Sequence, residues 1–224
     1  ARPDHHVPQA GGGSPVNPYY QDEFVTLLHG DSADLITKVS ASIVVTDPPY
    51  GVNKRPRTYQ AKSGPPATWD SDFMLPVLTS DTDVLCVLPG VSNLTRLPEV
   101  ISELRYVWTL SVWISNGMTR SPFGYGNWIP GLVYARDGVK LYQQKSDFAK
   151  VSVSGRKPDH PSPKPISAML HFVSRMPDGV ICDPYAGSGS TLLAAKMLGR
   201  KSIGIEIDER SCEVAAKRLL DLRP

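Results

Sequence analysis

Four short runs of this chain are almost wholly apolar: residues 42–46, 83–88, 180–182 and 202–205. A strand with one wet face alternates polar and apolar residues. A strand buried on both faces does not, and such strands belong to parallel sheets covered on each side. Helical segments stand between or after them. Residues 166–175 follow Pro165, residues 189–198 are closed by Gly199, and residues 209–220 form a last helix. Further strands are expected at 24–29, 107–114 and 129–134, and a helix at 94–104, interrupted early by Pro98. Strands alternating with helices predict an α/β fold with a mostly parallel sheet and helices on both faces. The 224 residues suit one domain spanning 21–224, after a flexible Pro/Gly-rich tail over 1–20. Ligands of such sheets gather at the carboxyl ends of strands, near the switch point.

One such end carries Asp183-Pro184-Tyr185-Ala186-Gly187-Ser188-Gly189-Ser190-Thr191, between a strand and a helix. Glycines let backbone approach a ligand, and the helix start offers free N–H groups. The next strand ends in Glu206, 17 residues after Gly189, where a carboxylate can accept from two ribose hydroxyls. A dinucleotide fingerprint wants glycine where Leu192 stands, and no Gly-Lys-Ser/Thr run marks a phosphate loop. A left-handed turn with no ligand stays open. Asp183 would repel a phosphate and suits a cation, such as the amine and sulfonium of S-adenosyl-L-methionine.

A second end carries Asp47-Pro48-Pro49-Tyr50. The exocyclic nitrogen of adenine is conjugated and weakly nucleophilic. The Asp47 carboxylate and the Pro48 carbonyl can accept its two N–H bonds and free its lone pair. Pro48 and Pro49 fix φ and hold that carbonyl outward, and Tyr50 offers a stacking face. The plainer reading is a strand-to-turn connector, since Asp-Pro pairs start turns.

Net charge is only +2, but the basic residues cluster. Lys54, Arg55, Arg57 and Lys62 share a stretch without acids, and residues 115–165 hold eight Lys/Arg, Arg120, Arg156 and Lys157 among them, against three Asp. Such loops suit phosphate contact or simply face solvent. Three cysteines without a close pair argue for a reducing compartment, and no zinc spacing appears. No apolar run spans a membrane and no signal core opens the chain. The expected location is cytoplasmic.

With Gly30-Asp31-Ser32, Asp47 through Gly51, His160-Pro161-Ser162-Pro163-Lys164-Pro165, Asp183 through Gly189 and Gly204 through Asp208, the chain resembles the beta class of S-adenosylmethionine-dependent DNA amino-methyltransferases. The resemblance covers about residues 24–220 and implies a Rossmann-like, circularly permuted domain with a seven-stranded sheet. The strand at 24–29 then fills the place after the C-terminal helix, and the strands at 180–182 and 42–46 are neighbours. It makes Asp47, Pro48, Pro49 and Tyr50 the catalytic set. Glu206, with Ile207 beside it, would hold the ribose, Asp31 the cofactor adenine, and Asp183 through Thr191, with Pro184, Tyr185, Gly187, Ser188, Gly189 and Ser190, the methionine part. Lys164, with His160 and Pro165, would close the cofactor site near its carboxylate.

Relatives with Asp at the first motif position mostly methylate adenine N6, and those with Ser mostly cytosine N4. Asp47 therefore favours adenine. Cytosine C5 chemistry needs a nucleophilic Cys after Pro, which is absent. The implied cofactor is S-adenosyl-L-methionine, with no metal. The implied partner is DNA, single-stranded or double-stranded with a flipped adenine, and a homodimer is open to the chain. The short segment at 137–159 implies a short or relaxed target sequence. Other readings are a cytosine-N4 or RNA methyltransferase, a catalytically silent nucleic-acid-binding module and, most distantly, a nicotinamide enzyme.

Overall fold

The apolar runs become the middle of one sheet. The computed structural model describes residues 17–49, 78, 81–116, 119–121, 124–141, 143–152 and 164–222. The strands among them are β1 (Tyr20–Gln21), β2 (Val25–His29), β3 (Ile43–Thr46), β4 (Val84–Val87), β5 (Val100–Ile101), β6 (Leu104–Ile114), β7 (Thr119–Ser121), β8 (Gly124–Gly126), β9 (Trp128–Ala135), β10 (Phe148–Val151), β11 (Ile181–Asp183) and β12 (Ser202–Glu206). The helices are α1 (Ser32–Leu35), α2 (Ile166–Val173), α3 (Ser190–Met197) and α4 (Glu209–Asp221).

The main sheet runs β1-β2-β12-β11-β3-β4-β9-β6-β10, with β5 also on β6. From β2 to β4 every neighbour is parallel. β9 is antiparallel to β4 and to β6, and β10 joins β6 in parallel. β2 lies beside β12, with Leu27 opposite Gly204, and β11 lies beside β3, with Ile181 opposite Ile43. Both adjacencies match the sequence expectation.

Side chains of β3, β4 and β11 pack against α2 and α3 on one face. The alternate residues of the same strands, Val44, Leu85 and Cys182 among them, meet Leu35 and Ile36 on the other. β2 packs its Val25 and Leu27 against α3 and α4. α4 starts at Asp208, whose carboxylate accepts from the Ser211 N–H at 3.0 Å.

Four expectations change. The described sheet has ten strands, not seven. Two of the ten, β1 and β5, are only two residues long, too short to show a period of two, and β10 has only four residues. The helix expected at 94–104 is instead a 3-10 turn at Val91–Arg96 followed by β5. Pro98 has no N–H to continue a helix, and the chain beyond it pairs with β6. The segment at 137–159, where no strand is expected, contains β10 on the outer edge. Ordered structure also begins inside the expected tail: the Tyr19 N–H donates to Leu27 at 2.8 Å. No helix among the described residues is long and apolar enough to cross a membrane.

Candidate active site

Parallel neighbours end on the same edge, so β2, β12, β11 and β3 deliver their following residues to one place. Beyond β11 the chain turns through the glycine-rich loop into α3. Gly189 sits at φ +79°, and a Cβ there would lie 3.0 Å from the Ala215 Cβ of α4. Both strain and space therefore demand glycine. At Gly187, φ +51°, the nearest atom to such a Cβ is 4.0 Å away, so the loop leaves room in front of its backbone. That open cradle fits a ligand lying against the loop.

The loop is pinned from three sides. Glu206, at the end of β12, accepts from the Gly187 N–H at 2.7 Å and from the Asp208 N–H at 2.8 Å. Ser32, at the start of α1, donates to the Pro184 carbonyl. Arg218 of α4 donates to the Ser188 carbonyl and, at 2.9 Å, to the Ser188 hydroxyl. Asp31 follows β2, is exposed, and accepts from the Ala33 N–H at 2.9 Å. Burial, with Asp31 and Asp183 nearby, pushes the half-buried Tyr185 phenol up to about 12. Ile207 stands exposed just past β12.

Asp47 leaves β3 on the same edge, with Pro48 buried and Pro49 exposed. The adjoining Thr46 donates to the Asp183 carboxylate at 2.9 Å, and Thr191 of α3 donates to its other oxygen at 2.5 Å. The Tyr185 N–H donates to Asp183 at 3.1 Å. Asp183 is thus a joint between the two motifs, buried to 2% exposure. Burial pushes its carboxyl up to about 6, against the hydrogen bonds from Thr191 and Thr46. The Lys164 ammonium is ion-paired with Asp47, each side chain 26% exposed, and Ser190 donates to the Lys164 carbonyl at 3.0 Å. Pro165 sits at the N-cap of α2.

Thus Asp31, Asp47, Pro48, Pro49, Lys164, Pro165, the Asp183–Thr191 loop, Glu206 and Ile207 belong to one edge of the sheet. Tyr50, Lys54, Arg55, Arg57, Lys62, Arg156, Lys157 and His160 lie outside the described residues. Arg120 falls in β7, opposite Tyr125 of β8. All three thiols are buried, and burial pushes Cys86 and Cys212 up to about 12 and Cys182 higher still, so none is set as a nucleophile.

Sequence reasoning missed several supports. Thr46, Ser32 and Arg218 act through partners 137, 152 and 30 residues away. Gly204 was quoted but given no role. A Cβ there would lie 2.6 Å from Leu192 Cδ1 and 3.0 Å from Ala186 Cβ. Leu192 stands where a dinucleotide loop would have its third glycine. The close approach of helix to sheet is instead provided by a glycine on the next strand.

Comparison with known proteins decides the family. A family model described as DNA methylase, of the N6/N4 type, matches residues 91–217. The chain belongs to the N6/N4 DNA methylase family. It is 27% identical to the type II methyltransferase M.ScaI of Streptomyces caespitosus, over 90% of this chain and 83% of that protein. The M1.HpyAVI–SAM complex shares the fold, with a TM-score of 0.66 and 19% identity over 87% of this chain and 100% of that one. The cytosine-N4-specific PvuII DNA methyltransferase does so with a TM-score of 0.65 and 18% identity, over 92% and 90%. This methylase therefore carries the Rossmann-like methyltransferase fold and acts on DNA.

Proposed function

We propose that this chain transfers the methyl group of S-adenosyl-L-methionine to the exocyclic N6 amine of adenine in DNA. S-adenosyl-L-methionine is the methyl donor and supplies an electrophilic methyl on a sulfonium. The observation that carries the reading is the Asp183 joint, which hydrogen-bonds Thr46 and Thr191 and so holds Asp47 beside the cofactor loop. Direct transfer needs such adjacency.

The glycine-rich loop would take the methionine part, Glu206, already bonded to the Gly187 N–H, would accept from the ribose hydroxyls, and Asp31 would take the adenine moiety. Asp47 and the Pro48 carbonyl accept the target N–H bonds, and Tyr50 stacks on the base. The cofactor would supply a methyl to the amine nitrogen, its S–C bond breaking as the N–C bond forms, with the extra proton on nitrogen passing to solvent. Catalysis is by positioning and by hydrogen bonds to the developing positive charge. Asp rather than Ser at position 47 supports adenine over cytosine N4.

A base inside a duplex cannot reach this edge, so the target is flipped or unpaired. Lys54, Arg55, Arg57 and Lys62 follow Tyr50 closely in sequence and, with Arg120, Arg156 and Lys157, would supply phosphate contacts. The resemblance to the beta class and the place of β2 beside β12 support a permuted chain order. The short segment at 137–159 supports a short target sequence. The type II methyltransferase relative is consistent with a partner restriction system.

The test is labelled methyl transfer to DNA and RNA, with the product nucleoside identified. N6-methyladenine in DNA is expected. N4-methylcytosine overturns the adenine assignment, and a product confined to RNA overturns the substrate. Mapping methylated positions in a random DNA library tests the target; a long, strictly read site refutes a short one.

A further inference from the structure

Thr46 and Asp47 are neighbours at the end of β3, and Ser190 and Thr191 are neighbours in the first turn of α3. Two bridges join these pairs. One runs through the Asp183 carboxylate, which takes hydrogen bonds from Thr46 and Thr191. The other runs through Lys164. Its carbonyl accepts from the Ser190 hydroxyl at 3.0 Å, and its ammonium is ion-paired with Asp47. Arg218 extends the second bridge, 3.4 Å from the Ser190 hydroxyl and bonded to Ser188. Lys164 is therefore held by its backbone to the helix that carries the cofactor loop, and by its side chain to the carboxylate of the amine pocket.

We propose that Lys164 is a positioning residue for Asp47, serving the target amine rather than the cofactor's carboxylate. The inference rests on the reading of Asp47 as the amine's acceptor. Its physical basis is geometry. Asp47 sits on a strand end followed by two prolines, so its backbone is fixed and its side-chain rotation is set by what its carboxylate meets. An ammonium on one oxygen, anchored to α3 through Ser190, fixes that rotation. A carboxylate has about four lone-pair sites, so it accepts from Lys164 and from an incoming N–H at once. The pair is only 26% exposed, which leaves it less screened by solvent than a surface pair. This differs from the role that the family resemblance implies, in which Lys164 closes the cofactor site.

The experiment compares Lys164→Met and Lys164→Arg with the unaltered chain. S-adenosyl-L-methionine affinity is read by calorimetry, and kcat is read on DNA at saturating cofactor. We expect Lys164→Met to lower kcat by about 100-fold, the loss typical of a misplaced group, while cofactor Kd changes by less than about twofold. Lys164→Arg should restore part of kcat. Asp47→Ala with Lys164→Met should be no slower than Asp47→Ala alone, as for residues acting as a unit. Ser190→Ala, which removes the backbone anchor together with the longer contact to Arg218, should lower kcat in the same direction by about 5- to 10-fold, the worth of one hydrogen bond, and covers the case in which Lys164→Met does not fold. A cofactor Kd raised tenfold or more with kcat intact places Lys164 on the cofactor and overturns the inference. So does additive loss in the double variant. A wild-type chain that transfers no methyl group to DNA overturns both this inference and the function it rests on; an active wild type with an unaffected Lys164→Met overturns the inference alone.

Discussion

The half of the sheet from β2 to β4 and the half made by β9, β6 and β10 share one backbone and differ in what their strand ends can do. In the first, β3, β4 and β11 are buried at every residue, and all neighbours run parallel. In the second, β6 leaves Tyr106, Val107 and Trp108 exposed at 45%, 43% and 57%, and β9 runs against both its neighbours. Parallel strands end together, so their carboxyl ends bring Asp31, Asp47, Asp183 and Glu206 to one edge. Antiparallel neighbours send successive ends to opposite edges and gather no such set. The first half concentrates carboxylates at one edge, and the second widens the sheet beside it.

The largest effect should come from the shared edge. Asp47→Ala is expected to lower methyl transfer by about 1000-fold or more, as for a lost transition-state hydrogen-bonding group, while cofactor affinity stays within a few fold. Full activity by radiolabel assay would break the comparison. Next come two glycines, one in each half. Gly204→Ala pushes a Cβ to 2.6 Å from Leu192, and Gly131→Ala pushes one to 2.6 Å from the Phe172 ring. Each should cost about 1–3 kcal/mol in denaturant unfolding, the usual penalty of overpacking. Only Gly204→Ala, whose Cβ also presses on Ala186 of the cofactor loop, should weaken cofactor binding. Equal binding losses in both variants would erase the distinction between the halves.

A pH series sharpens it further. Burial raises Asp183 to about 6 from 3.8. A raised carboxyl binds its proton more tightly when folded. Its favourable contribution is therefore complete below about pH 4 and lost as pH rises through 6, on the order of 3 kcal/mol at 1.4 kcal/mol per unit. Asp183→Asn should flatten that slope in urea unfolding. Asp22 behaves oppositely. Burial opposes its charge, but bonds from Lys196 and Tyr20 outweigh burial and hold it down at about 2. Its stabilisation is present above about pH 4 and is lost as pH falls toward 2, so Lys196→Met should weaken the fold at pH 7 more than at pH 2. The smallest effect is Trp108→Ala. It removes one exposed bond to Asp147 and should shift stability by no more than about 0.5 kcal/mol in a thermal melt.

The buried strands were legible to within a residue or so, because a strand covered on both faces must be apolar throughout. The observed Ile43–Thr46, Val84–Val87 and Ser202–Glu206 fall within a residue of the apolar runs. The strand-end places of the motifs were legible, since an acid after a strand, paired prolines and a glycine-rich turn each have a local reason. The edge strand β10 was not, because Phe148–Val151 is a strand only through its pairing with β6. Nor was the failure of the expected helix at 94–104, where pairing of Val100–Ile101 with β6 adds to the break at Pro98.

Residue order and residue type by themselves determined which segments are buried, where the chain turns, and which carboxylates and glycines follow the strand ends. Those are local consequences of side-chain hydrophobicity and backbone freedom. Only the tertiary structure decided the partners: Asp183 with Thr46 across 137 residues, and Lys164 with Asp47 across 117. Such bonds depend on which strands become neighbours, and that is set by packing of the whole sheet rather than by any one stretch of chain.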